Sequence, residues 1–236
     1  QIEHNGMRAH VRLTFDEGET QDPLASAVGA RQSWRGAFAK ATDADRAEAH
    51  ALAAEDCTIL SGPGDISEIA KLCDKASLGF MLHTPFRQEL LSWMRLRSSH
   101  RRWSVDGLNA DALQFSGIER VFAGVFLGPA FSLVRALGLA PALMSEASKT
   151  RSSAGILVFH RPVDEDPIET GRAFYRAWLR CEAHGFGAAV LAALADDGTT
   201  SDALANMAQT PRGHRIVSVF RIGRRPAHKP IRRARC

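Results

Sequence analysis

Residues 166–195, DPIETGRAFYRAWLRCEAHGFGAAVLAALA, limit what this chain can become more than any other stretch. Ile168, Ala173, Phe174, Ala177, Trp178 and Cys181 recur at three-to-four-residue spacing, while Glu169, Arg172, Arg176 and Arg180 fall mostly between them. That is an amphipathic helix with a wide apolar stripe, and such a stripe has to be buried. Asp166 is placed to cap the N-terminus with Pro167 at the first helical position, and Gly185 falls where a helix ends in the left-handed region. The helix is expected to stop at this glycine corner and start again beyond it. Gly185-Phe186-Gly187-Ala188-Ala189 has little bulk apart from Phe186. Either a packing contact among small residues or the close approach of a flat ligand fits such a corner.

A helix of this kind needs a core to lie on. With 236 residues, 45% of them hydrophobic and 24% charged, the chain is long enough to supply one as a single globular domain over 1–236. The most apolar segment, Val121 to Leu143, is broken by glycines, prolines and Arg135, which excludes a spanning helix there. The opening QIEHNGMRAHVRLTF lacks the basic start and apolar core of a signal peptide. Cys57, Cys73, Cys181 and Cys236 show no CxxC spacing, which fits reduced, buried thiols and a cytoplasmic location. The histidines form no HxxxH or HxH pair, so no metal site is expected.

Charge is distributed unevenly. From Arg212 onward the chain carries Arg212, Arg215, Arg221, Arg224, Arg225, Lys229, Arg232, Arg233 and Arg235 with no acid, and without that tail it is mildly acidic. Clustered guanidinium groups match phosphate oxygens, whether of a cofactor or of nucleic acid. The plain alternative is a solvated tail.

Taken in order, Arg8 to Phe15 alternates as a strand, and a short helix follows Pro23. In the turn Arg31-Gln32-Ser33-Trp34-Arg35 two arginines flank a serine, a set of donors suited to an anion or simply a pair of arginines at a helix end. Helices are expected over 43–55, from Asp65 onward, over 84–97 with Thr84 as cap, as two short pieces in 118–143, and over 201–208 with Ser201 as cap. Strands are expected at 57–60, within 152–160 and over 214–222. The polar, turn-rich stretch 98–117 is a candidate lid loop. SGPGD at 61–65 lacks the lysine of a phosphate loop and reads as a turn. His184, beside Gly185, reads as a helix C-cap residue rather than a base. Few strands separated by many helices give an α+β architecture, a small antiparallel or mixed sheet surrounded by helices.

In this order the pieces resemble the FMN-dependent nitroreductase superfamily. The parts are the Arg31–Arg35 turn, the helix from Gly171 into Gly185-Phe186-Gly187, the strand Val217 to Gly223, and the paired Arg232-Arg233. FRQELLSWMR and the following Asp106-Gly107-Leu108 look closer to its longer, internally duplicated branch. The resemblance implies an oxidoreductase that passes hydride from NAD(P)H through FMN to a nitroaromatic, quinone or related acceptor, working as a homodimer. It implies that Arg31, Ser33, Arg35, Arg232 and Arg233 hold the FMN phosphate. Gly185 and Gly187 would admit the flavin ring, and Val190, Leu191 and Ala192 would lie beside it. The proline-serine, asparagine and glutamine-proline-tryptophan group of typical members does not follow the RQSWR turn. That marks either a divergent member or a domain truncated at its N-terminus. Two other functions stay open: a flavin-sequestering protein without turnover, and a nucleic-acid-binding protein that uses the basic tail.

Overall fold

A computed structural model describes residues 2–5, 8–11, 20–115, 117–128 and 130–227. The first elements are β1 (Ile2–Asn5) and β2 (Arg8–Val11), an antiparallel pair, then α1 (Ala27–Ala30), α2 (Asp43–His50), β3 (Cys57–Leu60), α3 (Pro63–Leu82) and α4 (Thr84–Trp93). A short parallel pair follows, β4 (Met94–Arg95) with β5 (Leu108–Asn109), and then α5 (Gly117–Phe126), α6 (Phe131–Ala136), α7 (Ala140–Met144) and α8 (Ala147–Arg151). The last third holds β6 (Gly155–Pro162), α9 (Pro167–Ala183), β7 (Gly187–Val190), α10 (Ala192–Asp196), α11 (Gly198–Met207) and β8 (His214–Gly223).

The architecture is α+β. Four strands in the order β3-β6-β8-β7, every pairing antiparallel, form the central sheet. Helices cover both of its faces, so the inner strands β6 and β8 are buried along most of their length. Leu157, Phe159, Phe220 and Ile222 pack with Ala49 of α2 and with Ala177, Trp178 and Cys181 of α9. Ile156, Val158 and Val219 pack with Ile66 and Ile69 of α3, Leu194 of α10 and Leu204 of α11.

Helix α9 follows its sequence signals. The Asp166 carboxylate accepts from the backbone N–H groups of Ile168 (2.7 Å) and Glu169 (3.4 Å). At the other end His184 is the C-cap and Gly185 has φ +73°. Phe186 N–H donates to the Cys181 carbonyl and Gly185 N–H to the Glu182 carbonyl, the paired bonds of a Schellman motif. Its stripe buries Phe174 and Trp178 against Phe220, with ring centroids 5.3 and 5.2 Å from the Phe220 ring.

Several expectations need correction. The chain does not restart as a helix directly after the glycine corner. Gly187–Val190 is the edge strand β7, because pairing with β8 overrides the helix preference of its two alanines. Helix α4 has His83 as its cap and ends at Trp93, since Met94 and Arg95 pair with Leu108 and Asn109. The Arg95 side chain, nearly buried, donates to Asp106 at 3.0 and 3.1 Å and fixes that pair. Helix α11 starts at Gly198 on Asp197, whose carboxylate accepts from Thr200 N–H, so Ser201 lies inside the helix. Residues 117–144 form three helices rather than two, and Gly138 (φ +69°) ends the second. Helix α2 ends at His50, and α3 begins at Pro63. Of the strand expected over 8–15, Arg8–Val11 is present and 12–15 lie outside the described residues. Among the described residues no helix is long and apolar enough to cross a membrane.

One buried polar pair gives the fold a pH dependence. His160, at the β6 end, is 2% exposed, and its Nδ1 lies 3.0 Å from Nδ1 of His214 on β8. Burial holds the His160 pKa below its usual value, and the neighbouring His214 and Arg161 push the same way against Asp56. The unfolded chain therefore takes up this proton more readily, so the stabilisation is complete above about pH 6.5 and is lost as pH falls below it. Thermal melts between pH 7 and 5 are expected to show a falling midpoint, with a shallower fall in His160→Asn. An equal slope in the variant would assign the pH dependence to other groups.

Candidate functional site

A cavity of about 570 Å³ opens where β7 runs into α10. Ala189, Val190 and Leu191 form one wall, and Arg221 enters from β8 opposite Ala189. The segment that starts at Ser33 runs along the outer edge of β7: Ser33 bridges Ala188, and Trp34 N–H donates to the Ala188 carbonyl at 2.8 Å. Arg221 fixes the next turn of this segment. Its Nη1 donates to the Gly36 carbonyl (2.9 Å) and its Nη2 to the Trp34 carbonyl (3.2 Å), so the carbonyls on either side of Arg35 are clamped. A further contact reaches the Lys149 carbonyl at 3.4 Å.

The Arg221 guanidinium is 2% exposed, and its hydrogen bonds among the described residues go to carbonyls alone. Burial lowers its pKa to about 10, with Glu146 opposing at longer range. A buried cation without a carboxylate partner is costly, and burial of this kind is a mark of functional sites. Arg35, at the exposed edge of the same cavity, has no hydrogen bond or ion pair among the described residues. Lys149 also lines the cavity, paired with Glu146 at 2.9 Å and with Glu119 at 4.0 Å.

The candidate lid supplies another wall. Leu108, Leu113 and Phe115 line the cavity, and the Gln114 side-chain oxygen accepts from Gly36 N–H. Gln114 itself sits at φ 56°, which turns its amide toward that partner.

The residues singled out from the sequence are only partly brought together. Arg35, Val190 and Leu191 line the cavity. Leu191 N–H is engaged with the Val219 carbonyl at 2.8 Å. Ala192 starts α10 and is exposed. Arg31 turns elsewhere: its guanidinium carbon lies 4.4 Å from the Trp178 ring centroid and 5.3 Å from that of Tyr175 on α9. Ser33 is half-buried beside β7. Arg232 and Arg233 lie outside the described residues.

At the glycine corner the space is taken by the protein. A Cβ on Gly187 would lie 2.7 Å from Arg225 Cγ and 3.2 Å from Phe38 Cε1, and one on its strand partner Gly223 would lie 2.6 Å from Phe38 Cγ. The Phe38 ring packs against Gly223 and Gly187. Other basic residues here are also committed. Arg224 pairs with Asp45 at 3.1 Å and with Glu48, and donates to the His184 carbonyl at 2.6 Å, while Arg225 pairs with Glu182. These ion pairs take Arg224 and Arg225, and burial takes Arg221, out of the basic cluster that a nucleic-acid surface would need. The thiols among the described residues are equally unsuited to chemistry: burial raises Cys73 to about 11 and Cys181 to about 12, and raises Cys57 as well.

Arg221, Phe38, Lys149 and Gln114 were not singled out from sequence for this site. The one available signal was Arg221 itself, a charge set between Phe220 and Ile222 in an otherwise apolar strand.

Comparison with known proteins finds no matching family model and no matching curated protein. Among solved structures, the chain is similar to an iodotyrosine deiodinase bound to FMN and 3-iodo-L-tyrosine, at 13% identity and TM-score 0.46, over 88% of this chain and 92% of that one. It is also similar to a nitroreductase with bound FMN from Bacteroides fragilis, at 10% identity and TM-score 0.43, over 89% and 95%. A third is the FMN-dependent nitroreductase NfnB from Mycobacterium smegmatis in complex with NADPH, at 14% identity and TM-score 0.44, over 86% and 89%. What the cavity can hold follows from its own side chains.

Proposed function

We propose that this protein is an FMN-dependent oxidoreductase of the nitroreductase type, carrying hydride from NAD(P)H to a nitroaromatic, quinone or related acceptor. The observation that carries the reading is the Arg221 guanidinium, buried without a carboxylate partner among the described residues on the wall of a largely apolar cavity. The donor set fits FMN: a cavity of ligand size, hydrocarbon on most of its wall, and two guanidinium groups for electron-rich or anionic atoms. Bound FMN would supply the two-electron carrier that no side chain here provides.

The residues have separable tasks in this reading. Arg35, without a hydrogen bond or ion pair among the described residues, would take the phosphate, with Arg31, Ser33, Arg232 and Arg233 as further candidates for the same group. Arg221 holds the Arg35 turn in place through two carbonyls, and its positive charge on the cavity wall would favour electron-rich atoms of a bound flavin. Val190 and Leu191 provide an apolar wall, and Leu113 and Phe115 exclude water from the opposite side.

The homodimer belongs to the same proposal. Val121, Phe122 and Val125 of α5 and Leu133 of α6 are 46–67% exposed, an apolar surface of the kind a subunit interface covers. The buried thiols support a reducing, cytoplasmic compartment.

Purified protein is expected to be yellow, or to take up added FMN, and to oxidise NAD(P)H when a quinone or nitroaromatic is present. Arg35→Ala is expected to weaken FMN binding by about tenfold or more, the worth of one charge-assisted hydrogen bond. A colourless protein that takes up no FMN would sink the proposal, and a monomer mass by light scattering at micromolar concentration would remove the dimer from it. The wall formed by Leu108, Leu113 and Phe115 favours a second reading, a flavin-holding protein without turnover. FMN uptake without steady-state NAD(P)H oxidation across several acceptors would select it.

A further inference from the structure

The polar groups on the cavity wall lie together. Arg221 reaches the Lys149 carbonyl, Lys149 pairs with Glu146 and Glu119, and Arg35 stands between the two carbonyls that Arg221 clamps. Away from this cluster the wall is hydrocarbon and thioether. It includes Met81 of α3, Leu90 of α4, Met94 of β4, Phe122 and Phe126 of α5 and Phe131 of α6. Phe122 and Phe126 stack on each other with centroids 4.7 Å apart. The methionines opposite are unbranched and adjust to the shape of what they touch.

Part of the cavity's rim is apolar: Phe122 and Leu143 both line it and are 46% and 50% exposed, so a chain leaving the lobe past them would lie on hydrocarbon, with Glu119 and Glu146 beside it on the rim. A wall that is charged at one end and apolar through the lobe, with an apolar stretch at its rim, matches an amphipathic molecule with a polar head and a hydrocarbon tail.

We propose that the lobe between α3, α4, α5 and α6 is a tail subsite, and that the acceptor is a quinone bearing an alkyl or prenyl chain. Its head would lie at the Arg221 and Lys149 end, and its chain would run along Met94, Phe122 and Phe126 toward Leu143. The assignment of the head as an electron acceptor rests on the function proposed above. The tail subsite itself is a property of the lobe and needs no flavin.

The test is calorimetric titration of the full chain, with and without added FMN, using a methoxy-substituted benzoquinone and its decyl-chain derivative as probes. Each buried methylene strengthens binding by about fourfold, so the decyl compound is expected to bind at least about fiftyfold more tightly than the bare head. Ala123→Trp, which fills the lobe from α5, is expected to close most of that gap while the bare head binds as before. Met94→Lys, which charges the opposite wall, is the second variant and carries the test if the tryptophan impairs folding. Equal affinity of the two quinones for the unmodified protein would overturn the proposal, and so would a gap that survives in the variant that folds. A gap in protein that takes up no FMN would support the subsite while removing the flavin reading. FMN uptake with no gap would remove the subsite alone.

Discussion

Replacing Arg221 with methionine is expected to leave the fold standing and to cut FMN affinity by at least about thirtyfold. The folded protein holds a charged guanidinium out of water and lowers its pKa from the ordinary arginine range to about 10, a penalty on the order of 3 kcal/mol against the charged form. The sign is that of a depressed cation: the penalty is complete below about pH 10 and is relieved as pH rises from there toward the unfolded value, because the folded state releases the proton first. Methionine removes that penalty along with the bonds to the Gly36 and Trp34 carbonyls, two losses of similar size and opposite sign. The melting midpoint should therefore move by only about 5 °C. If the protein tolerates this buried charge for the sake of a ligand, the effect belongs in ligand binding, and Arg221→Lys, which keeps the charge without the planar fork, should fall between the two. FMN titration followed by fluorescence, beside a thermal melt, reads both quantities. Unchanged FMN affinity in Arg221→Met would assign the residue to holding the Trp34–Gly36 turn and nothing more.

The parts of this molecule that the sequence made legible are those whose information is local. Helix α9 announced itself through periodicity, the Asp166 cap and Gly185, and the Schellman bonds at Gly185 and Phe186 are what a left-handed glycine after such a helix implies. Strands β3, β6 and β8 showed as short apolar or alternating runs, and with the helices between them they led to the α+β class. Strand β7 did not show, because Gly-Ala-Ala-Val has no strand preference of its own and is extended only because β8 lies beside it. The direction of each arginine in the RQSWR turn was equally hidden. A spacing of four residues places Arg31 and Arg35 near one another in the chain, but the first lies over Trp178 and the second on the cavity wall. That divergence is decided by Ala188 and Arg221, partners more than 150 residues away, which no local pattern encodes.

Phe38→Ala is expected to destabilise the fold by about 3–5 kcal/mol, the usual consequence of emptying a buried aromatic site, and its coupling to Gly223 tells what the glycine corner is for. Phe38 is 5% exposed, its backbone N–H donates to Ser152 Oγ at 2.9 Å, and its ring lies under the Arg221 guanidinium at 4.9 Å. On its other side the ring meets Gly223 and Gly187, with no room for a Cβ on Gly223. Gly223→Ala should therefore cost about 1–3 kcal/mol through overpacking against a ring that cannot retreat. In a Phe38→Ala background the added methyl finds the vacated space, and the same substitution should cost little, giving a coupling of at least about 1 kcal/mol in a double-mutant cycle. Denaturant unfolding of the four proteins supplies the cycle. Additive losses would show that ring and glycine do not press on each other. If Gly223→Ala instead left stability untouched and abolished FMN uptake, the small residues would be serving the flavin, and the corner would be part of the binding site rather than a seat for Phe38.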